Sequence, residues 1–319
     1  MLKTILLRRV VGGVFILWLV SVLVFAAIHL LPGSAVTILT GHQETTPGEI
    51  ASLTQQLGLN QPLAVQYGHW LKGLVTGNWG TSLVSSVPVS QIVGTKVVNT
   101  GILTLISMLI LAPVAVVVGA VSAIRRNRLI DHVTSVVTLC LGAVPAFAIG
   151  IVVIYVLATN VFHWLPAASI LNPEQSVWIQ LNLVLLPAIT VALAMLPYPI
   201  RMVRATMIEV LESDYVMLAR LKGVPERQVI FRHAMRNGIG PIIQALALTL
   251  LFLSGGIIIV ETVFSYPGVG YALVQGVAQR DVPVVQTIVV VLATIAVTIN
   301  LLADLAVAFA TPRLRTALT

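Results

Sequence analysis

The residues of this chain that could do chemistry are few and scattered. Six histidines stand at positions 29, 42, 69, 132, 163 and 233, five of them at the ends of apolar runs or between them. The one cysteine, Cys140, lies inside an apolar run, so neither an intramolecular disulfide nor a cysteine-based zinc site can form. There is no H-E-x-x-H, no nucleophile elbow and no G-x-x-x-x-G-K-[ST] loop to cradle a phosphate. Leu253-Ser-Gly-Gly256 shares its letters with a nucleotide-site signature but continues with Ile257 in an apolar run, where small residues serve close helix packing. Two acids stand in apolar surroundings, Glu261 and Asp304, and acids at membrane depth can mark an ion pathway. They fall near opposite ends of their runs, which makes a poor relay. Asn300 and Asp304 are four apart, on one helical face. They read as a packing pair, with Arg201 and Arg204 as candidate counter-ions for Asp304. No catalytic set and no metal site emerges, and an enzyme is not expected.

The elements that carry these residues follow from composition. Of 319 residues, 58% are apolar and 9% charged, and mean hydropathy is +1.01. Soluble chains carry about 25% charged residues, so a soluble enzyme, a nucleic-acid-binding domain and a disordered chain are excluded. An all-α polytopic membrane protein remains. Six runs are long and apolar enough to span: 10–31, 99–124, 133–159, 181–200 (running on towards 205), 241–262 and 284–310. The stretch 73–95 also lacks charge, but is too polar and Gly-rich to cross. The first run is 22 residues, longer than a cleaved signal, and reads as a retained helix.

The net charge of +7 with a pI near 10.0 is explained by membrane topology rather than by nucleic acid. Fifteen of the 18 Lys and Arg fall on one side, at 3, 8, 9, 125, 126, 128, 201, 204, 220, 222, 227, 232, 236, 313 and 315. Only Lys72, Lys96 and Arg280 fall opposite. The positive-inside rule then places both termini and the 206–240 loop in the cytoplasm. Outside lie a long loop (32–98) and shorter ones at 160–180 and 263–283.

The most specific segment is Asp214-Tyr-Val-Met-Leu-Ala-Arg-Leu-Lys-Gly-Val-Pro-Glu-Arg-Gln-Val-Ile-Phe-Arg-His-Ala-Met-Arg-Asn237. The fourth span is expected to continue as a helix to about Arg220, broken by Gly223 and Pro225. A second short helix follows, with apolar Val229, Ile230, Phe231, Ala234 and Met235 beside Arg227, Arg232 and Arg236. Such apolar residues have little use in a solvated linker, and a surface docked on a partner protein is the natural reading.

The segment resembles the EAA motif, E-A-A-x-x-x-G, of permease subunits of ABC importers. Ala219 and Gly223 match the second Ala and the Gly, while Met217 and Leu218 replace the E-A. His233-Ala-Met-Arg-Asn, with D-Y-V-x-x-A-R-x-K-G before it, is similar to the peptide/nickel branch, the permeases like dipeptide/oligopeptide permease B. Leu57-Gly-Leu-Asn-Gln-Pro62, Tyr67, Trp70 and Gly77-Asn-Trp-Gly-Thr-Ser82 resemble that branch, with Asn60 and Asn78 in place of its usual acids. So do Glu261-Thr-Val-Phe-Ser-Tyr-Pro-Gly-Val-Gly270, Arg280-Asp-Val-Pro-Val-Val-Gln286 and Asn300-Leu-Leu-Ala-Asp304, although Thr311 stands where Asp is common. The resemblance runs from residue 1 to about 315.

It implies a type I ABC importer transmembrane fold in a bacterial cytoplasmic membrane. Residues 1–31 would form the N-terminus and a peripheral first helix, 32–98 an external loop, 99–310 the core of helices two to six, and 311–319 a tail. The partners implied are a second homologous permease, two ABC ATPase subunits that hold ATP and magnesium, an external substrate-binding protein and lipid; this chain itself would hold no cofactor. The cargo would be peptides or similar small solutes. Asp214, Tyr215, Ala219, Lys222, Gly223, Arg232 and His233 would belong to the ATPase-coupling loop, where Ala219 and Gly223, one turn apart, present a small flat patch. Glu261, Pro267, Gly268 and Gly270 would form an external motif, first a helix-ending turn and second a candidate gate. Tyr67 and Trp70 read as interfacial or loop-core aromatics, with contact to a binding protein as the alternative, and Pro145, Pro197 and Pro199 as helix kinks that could shape a translocation path. The rival reading, an ion-coupled secondary transporter, would need inverted repeats and a midplane ion site.

Overall fold

The computed structural model describes residues 2–30, 60–172 and 175–310; the stretches 32–59 and 311–319, expected as most of an external loop and as a tail, lie outside the described residues. Among the described residues the only β pairing is an isolated antiparallel bridge, Thr81 with Pro88. The helices are α1 (Leu2–Leu30), α2 (Leu63–Thr76), α3 (Val89–Ile124), α4 (Leu129–Ala143), α5 (Ala146–Ile154), α6 (Leu181–Met195), α7 (Pro197–Leu211), α8 (Asp214–Leu221), α9 (Met235–Val263), α10 (Val269–Ala278) and α11 (Val282–Ala310). Among the described residues five stretches are long and apolar enough to cross a membrane, or six if the bent pair α4–α5 is counted as one span.

The apolar runs expected from the sequence coincide with helices, but their ends differ. Helix α3 starts at Val89, ahead of the expected 99, and α2 occupies part of the expected loop 32–98. Polarity at Ser90, Gln91, Thr95 and Lys96 bars that turn from hydrocarbon but not from helix, and Pro88 suits a helix start. The run 133–159 is broken at Pro145 rather than kinked. Pro145 has no N–H to give and pushes Val144 into extended backbone (φ −91°, ψ 128°), and the helices on either side meet at 104°. At Pro197, by contrast, the ladder continues: Leu196 N–H donates to Ala192 O at 2.9 Å and Ile200 N–H to Leu196 O at 3.2 Å. Pro197 and Pro199 fall in the first turn of α7, where a missing N–H costs little.

The fifth span also begins earlier than expected. The turn Glu226–Gln228, a π-helical turn Val229–Ala234 and α9 follow one another without a gap, through Pro241. The expected second short helix is therefore the foot of the span. The expected external loop 263–283 contains α10.

The chain falls into two compact units. One holds Asn99–Gly270 and the end of α11 from Thr298; the other holds Leu2–Val98 and Tyr271–Val297. The first unit is organised around Leu103, Ile149, Val153, Val184, Leu186, Val191, Leu253, Ile257, Val260, Phe264 and Tyr266, all buried. A second cluster joins Ala120 and Ala123 of α3 to Val203 and Met207 of α7, Ala234 and Ile242. Gly119 permits that approach, because a Cβ there would lie 2.8 Å from both Ile200 O and Val203 Cβ. In the other unit the Tyr67 hydroxyl and Ser21 Oγ share a 2.8 Å hydrogen bond, and Phe25 meets the rings of Tyr67 and Trp70. Tyr67 and Trp70 thus pack on α1. Val10, Val14, Phe15, Trp18 and Leu23 of α1 are exposed, a surface suited to lipid rather than water.

Candidate functional site

Residues 212–236 form an elbow between α7 and α9. Glu212 and Ser213 interrupt the helix, and Ser213 takes extended backbone (φ −71°, ψ 149°) so that its carbonyl accepts from Val216 and Met217 at 3.0 and 3.1 Å. Eight residues later α8 ends in a Schellman turn: Val224 N–H donates to Ala219 O (3.1 Å) and Gly223 N–H to Arg220 O (2.9 Å). Gly223 has φ +76°, which a Cβ would disfavour, and open space surrounds the place of that Cβ. Pro225 opens the next turn. Arg220 fixes the corner by donating to both carboxylate oxygens of Glu226 (2.7 and 3.1 Å) and to Leu211 O (3.3 Å).

The elbow has two faces. Val216 and Ala219, three apart, are buried in the chain's own packing, as are Val229 and Ala234 of the π turn. Tyr215, Met217, Leu218, Leu221 (76% exposed) and Phe231 (62%) point outward. Asp214, Lys222 and Arg232 are exposed, and His233 is half-buried with its carbonyl accepting from Asn237 Nδ2 at 2.9 Å. The expected Ala219–Gly223 patch is therefore not a surface patch: the i, i+3 stripe through Val216 turns Ala219 inward, and Gly223 alone of the two is exposed. The outward face is built of larger apolar side chains.

The second assembly lies where α9 ends. Glu261 is fully buried, and its carboxylate accepts from Thr100 Oγ1 (2.6 Å) and Gly270 N–H (2.7 Å). Thr100 Oγ1 accepts in turn from Val269 N–H (2.8 Å), Asn99 Nδ2 donates to Pro267 O (2.8 Å), and the Tyr266 hydroxyl donates to Asn99 O (2.7 Å). Burial first, and the Glu261 charge second, push the Tyr266 phenol above the usual tyrosine range. A Cβ on Gly268 would fall 2.1 Å from Glu261 Oε1, and one on Gly270 2.5 Å from Ile258 Cα. Glu261, Pro267, Gly268 and Gly270 are thus one knot, closed on itself through Asn99 and Thr100. Sequence reading missed Asn99 and Thr100, two polar residues where an apolar run begins.

It also missed Asp131. This acid, buried at the start of α4, accepts from Arg204 Nε (2.5 Å) and Nη2 (2.8 Å), Ser122 Oγ (2.6 Å) and Asn127 N–H (3.0 Å). Arg204 therefore has its counter-ion in Asp131, not in the expected Asp304, because α4 packs on α7. An acid in the first turn of a helix, three residues after the last of Arg125, Arg126 and Arg128, was the available signal. Arg126 also pairs with Glu212. Asn300 is exposed and Asp304 half-buried on α11. In the other unit, Asp281 is buried and accepts from Ser82 Oγ (2.5 Å) and Leu83 N–H (3.2 Å), which joins two of the motifs singled out by sequence. Among the described residues no group of three or more His, Cys, Asp or Glu could hold a metal, and Cys140 is an exposed thiol.

Residues 115–316 match the family described as binding-protein-dependent transport system inner membrane component, and residues 1–100 match its N-terminal companion. The chain is 32% identical over 310 residues to a probable peptide ABC transporter permease protein, y4tP, of Sinorhizobium fredii, covering 97% of this chain and 98% of that one. It is 35% identical over 309 residues to the glutathione transport system permease protein GsiC of Salmonella typhimurium and 34% identical to that of Escherichia coli K12, again over 97% and 98% of the two chains.

Proposed function

The chain belongs to the family of binding-protein-dependent transport system inner membrane components, and from that premise we propose how it works. It is a multi-pass membrane protein with the type I ABC importer membrane fold, a permease subunit of an ATP-driven importer and not an ion-coupled transporter. Our reading is that it sits in the bacterial cytoplasmic membrane with both termini and the elbow inside. There it would form half of a translocation pathway with a second, homologous permease. Two ATPase subunits bind ATP and magnesium, a binding protein delivers cargo from outside, and this chain holds no cofactor and hydrolyses nothing. Peptides, including small ones of the glutathione class, are the proposed cargo, in keeping with what the relatives' names say of them.

The observation that carries this reading is the outward face of the elbow. Tyr215, Met217, Leu218, Leu221 and Phe231 put large apolar side chains into solvent on a segment whose other charges, basic ones mainly, mark the cytoplasmic side. A docked ATPase covers them, and closure of the ATPase pair on ATP moves the elbow as a body, which switches access between the two sides.

Co-expression with cognate ATPases tests the reading: they should co-purify with the wild-type chain and be lost with Leu221→Glu, while the chain purified alone neither binds nor hydrolyses ATP. Robust hydrolysis by the lone chain would overturn it. Orientation is tested separately, in a Cys140→Ser background. Gln43→Cys and Gln175→Cys should react with impermeant thiol reagents in intact cells and Glu226→Cys should not; the reverse pattern would invert the topology.

A further inference from the structure

The ion pair between Asp131 and Arg204 joins two parts of the chain that the elbow alone does not connect. Arg204 lies on α7, the helix that leads directly into the elbow. Asp131 opens α4, the first helix of the bent pair, which ends at Ala143 just before the 104° bend. The contact is fully made: both carboxylate oxygens are engaged, by two guanidinium nitrogens, by Ser122 of α3 and by the backbone N–H of Asn127. Asn127 holds φ +61° in the tight turn between α3 and α4, a conformation its N–H bond to Asp131 helps to fix. Below this point Arg126 reaches Glu212 at the start of the elbow, and Ala120, Ala123, Val203, Met207 and Ala234 pack α3, α7 and the π turn together.

We propose that the Asp131–Arg204 clasp is a positioning element of transport, which makes α4 travel with the elbow and so delivers the elbow's displacement to the break at Val144–Pro145. The inference rests on the elbow being the ATPase-docking element. Coupling between distant sites can be carried by packed side chains, ion pairs and rigid elements, and here a bidentate ion pair, its carboxylate buried and its guanidinium partly exposed, binds them more directionally than an apolar contact. Asp131 and Arg204 are positioning residues: neither is asked to touch cargo or nucleotide.

The test uses the complete transporter in proteoliposomes, with a defined mixture of di- and tripeptides including glutathione as the probe, and measures uptake and ATP hydrolysis together. Asp131→Asn and Arg204→Gln should keep the ATPases bound and hydrolysis near wild type, while uptake per ATP hydrolysed falls about tenfold, within the range of site-to-site coupling. The charge swap Asp131→Arg with Arg204→Asp should recover part of it. A nitroxide on the native Cys140 of α4 should lose its ATP-dependent spectral change in the same variants. Unchanged uptake per ATP in assembled variants overturns the proposal. Should Asp131→Asn fail to accumulate, Arg204→Lys decides, since it keeps the charge and gives up the bidentate contact: a fall of about twofold or more in uptake per ATP supports the clasp, and no change overturns it. Leu221→Glu, run alongside, separates the premises. If it keeps its ATPases and transports normally, the docking reading has failed whatever the clasp variants do.

Discussion

The knot at Glu261 and the elbow at 212–236 treat burial in opposite ways. The knot takes a carboxylate, a phenol, an amide and a hydroxyl out of solvent and gives each a partner within the chain. The elbow buries only a thin stripe, Val216, Ala219, Val229 and Ala234, and leaves five larger apolar side chains uncovered. A polar group buried with its partners is a finished structure. An apolar face left in water is an unfinished one, completed by something outside the chain. The difference separates residues that hold this subunit together from residues that join it to others.

The sharpest way to break that distinction is Gly268→Ala. With a Cβ 2.1 Å from Glu261 Oε1, the carboxylate must swing away from Thr100 and the Gly270 N–H, and a destabilisation of about 1–3 kcal/mol is expected for the partners left unpaired. Membrane abundance and the Tm of the solubilised complex should both fall; an unperturbed Tm would mean that the carboxylate does not sit on that glycine. Next comes Phe231→Glu, which should leave abundance and Tm unchanged while weakening ATPase association by about 2 kcal/mol, as a central interface side chain does. A lower Tm with association intact would assign Phe231 to the fold instead. Ala219→Glu does not serve for this purpose, since a charge there is buried within the elbow itself and would lower abundance as well.

Thr100→Val keeps shape but deprives Glu261 of a donor and the Val269 N–H of its acceptor, at a cost of about 1–3 kcal/mol for the unsatisfied partners, read as Tm with transport per assembled complex unchanged. Gly223→Ala should cost about 1 kcal/mol for its positive φ, and Gly223→Asn less, with uptake retained in both. Glu226→Gln is expected to be the mildest, within about 1 kcal/mol, because its pair with Arg220 is exposed.

Much of this was legible in the sequence, and what was not has a physical reason. Apolar length locates a span, so all six expected runs coincide with helices. It does not locate where a helix leaves the membrane, and so α3 and the foot of α9 extend beyond their runs. Pro145 announces a disturbance, but a proline in an apolar run does not by itself say whether the helix continues or breaks: at Pro197 the ladder continues. The motif from Glu261 to Gly270 could be singled out as a unit, yet its partner Thr100 is 161 residues away in sequence, beyond the reach of any local pattern. Ala219 could be placed on a helix but not on a side of it, because apolar residues occupy both faces of that short helix, Val216 and Ala219 inward and Met217, Leu218 and Leu221 outward. The pairing of Arg204 was misjudged for a related cause. Charge counting finds which acids share a leaflet, not which helix lies against which.

Gly268 and Glu261 also constrain how this chain can drift. A side chain at 268 would displace the carboxylate from its donors, and loss of the carboxylate leaves the hydroxyl of Thr100 and the amide of Gly270 without their acceptor in a buried place. Any single replacement at these positions therefore meets the others unchanged and is penalised by them. The turn can be left only by several replacements together, so its letters are bound to travel through descent as a single word.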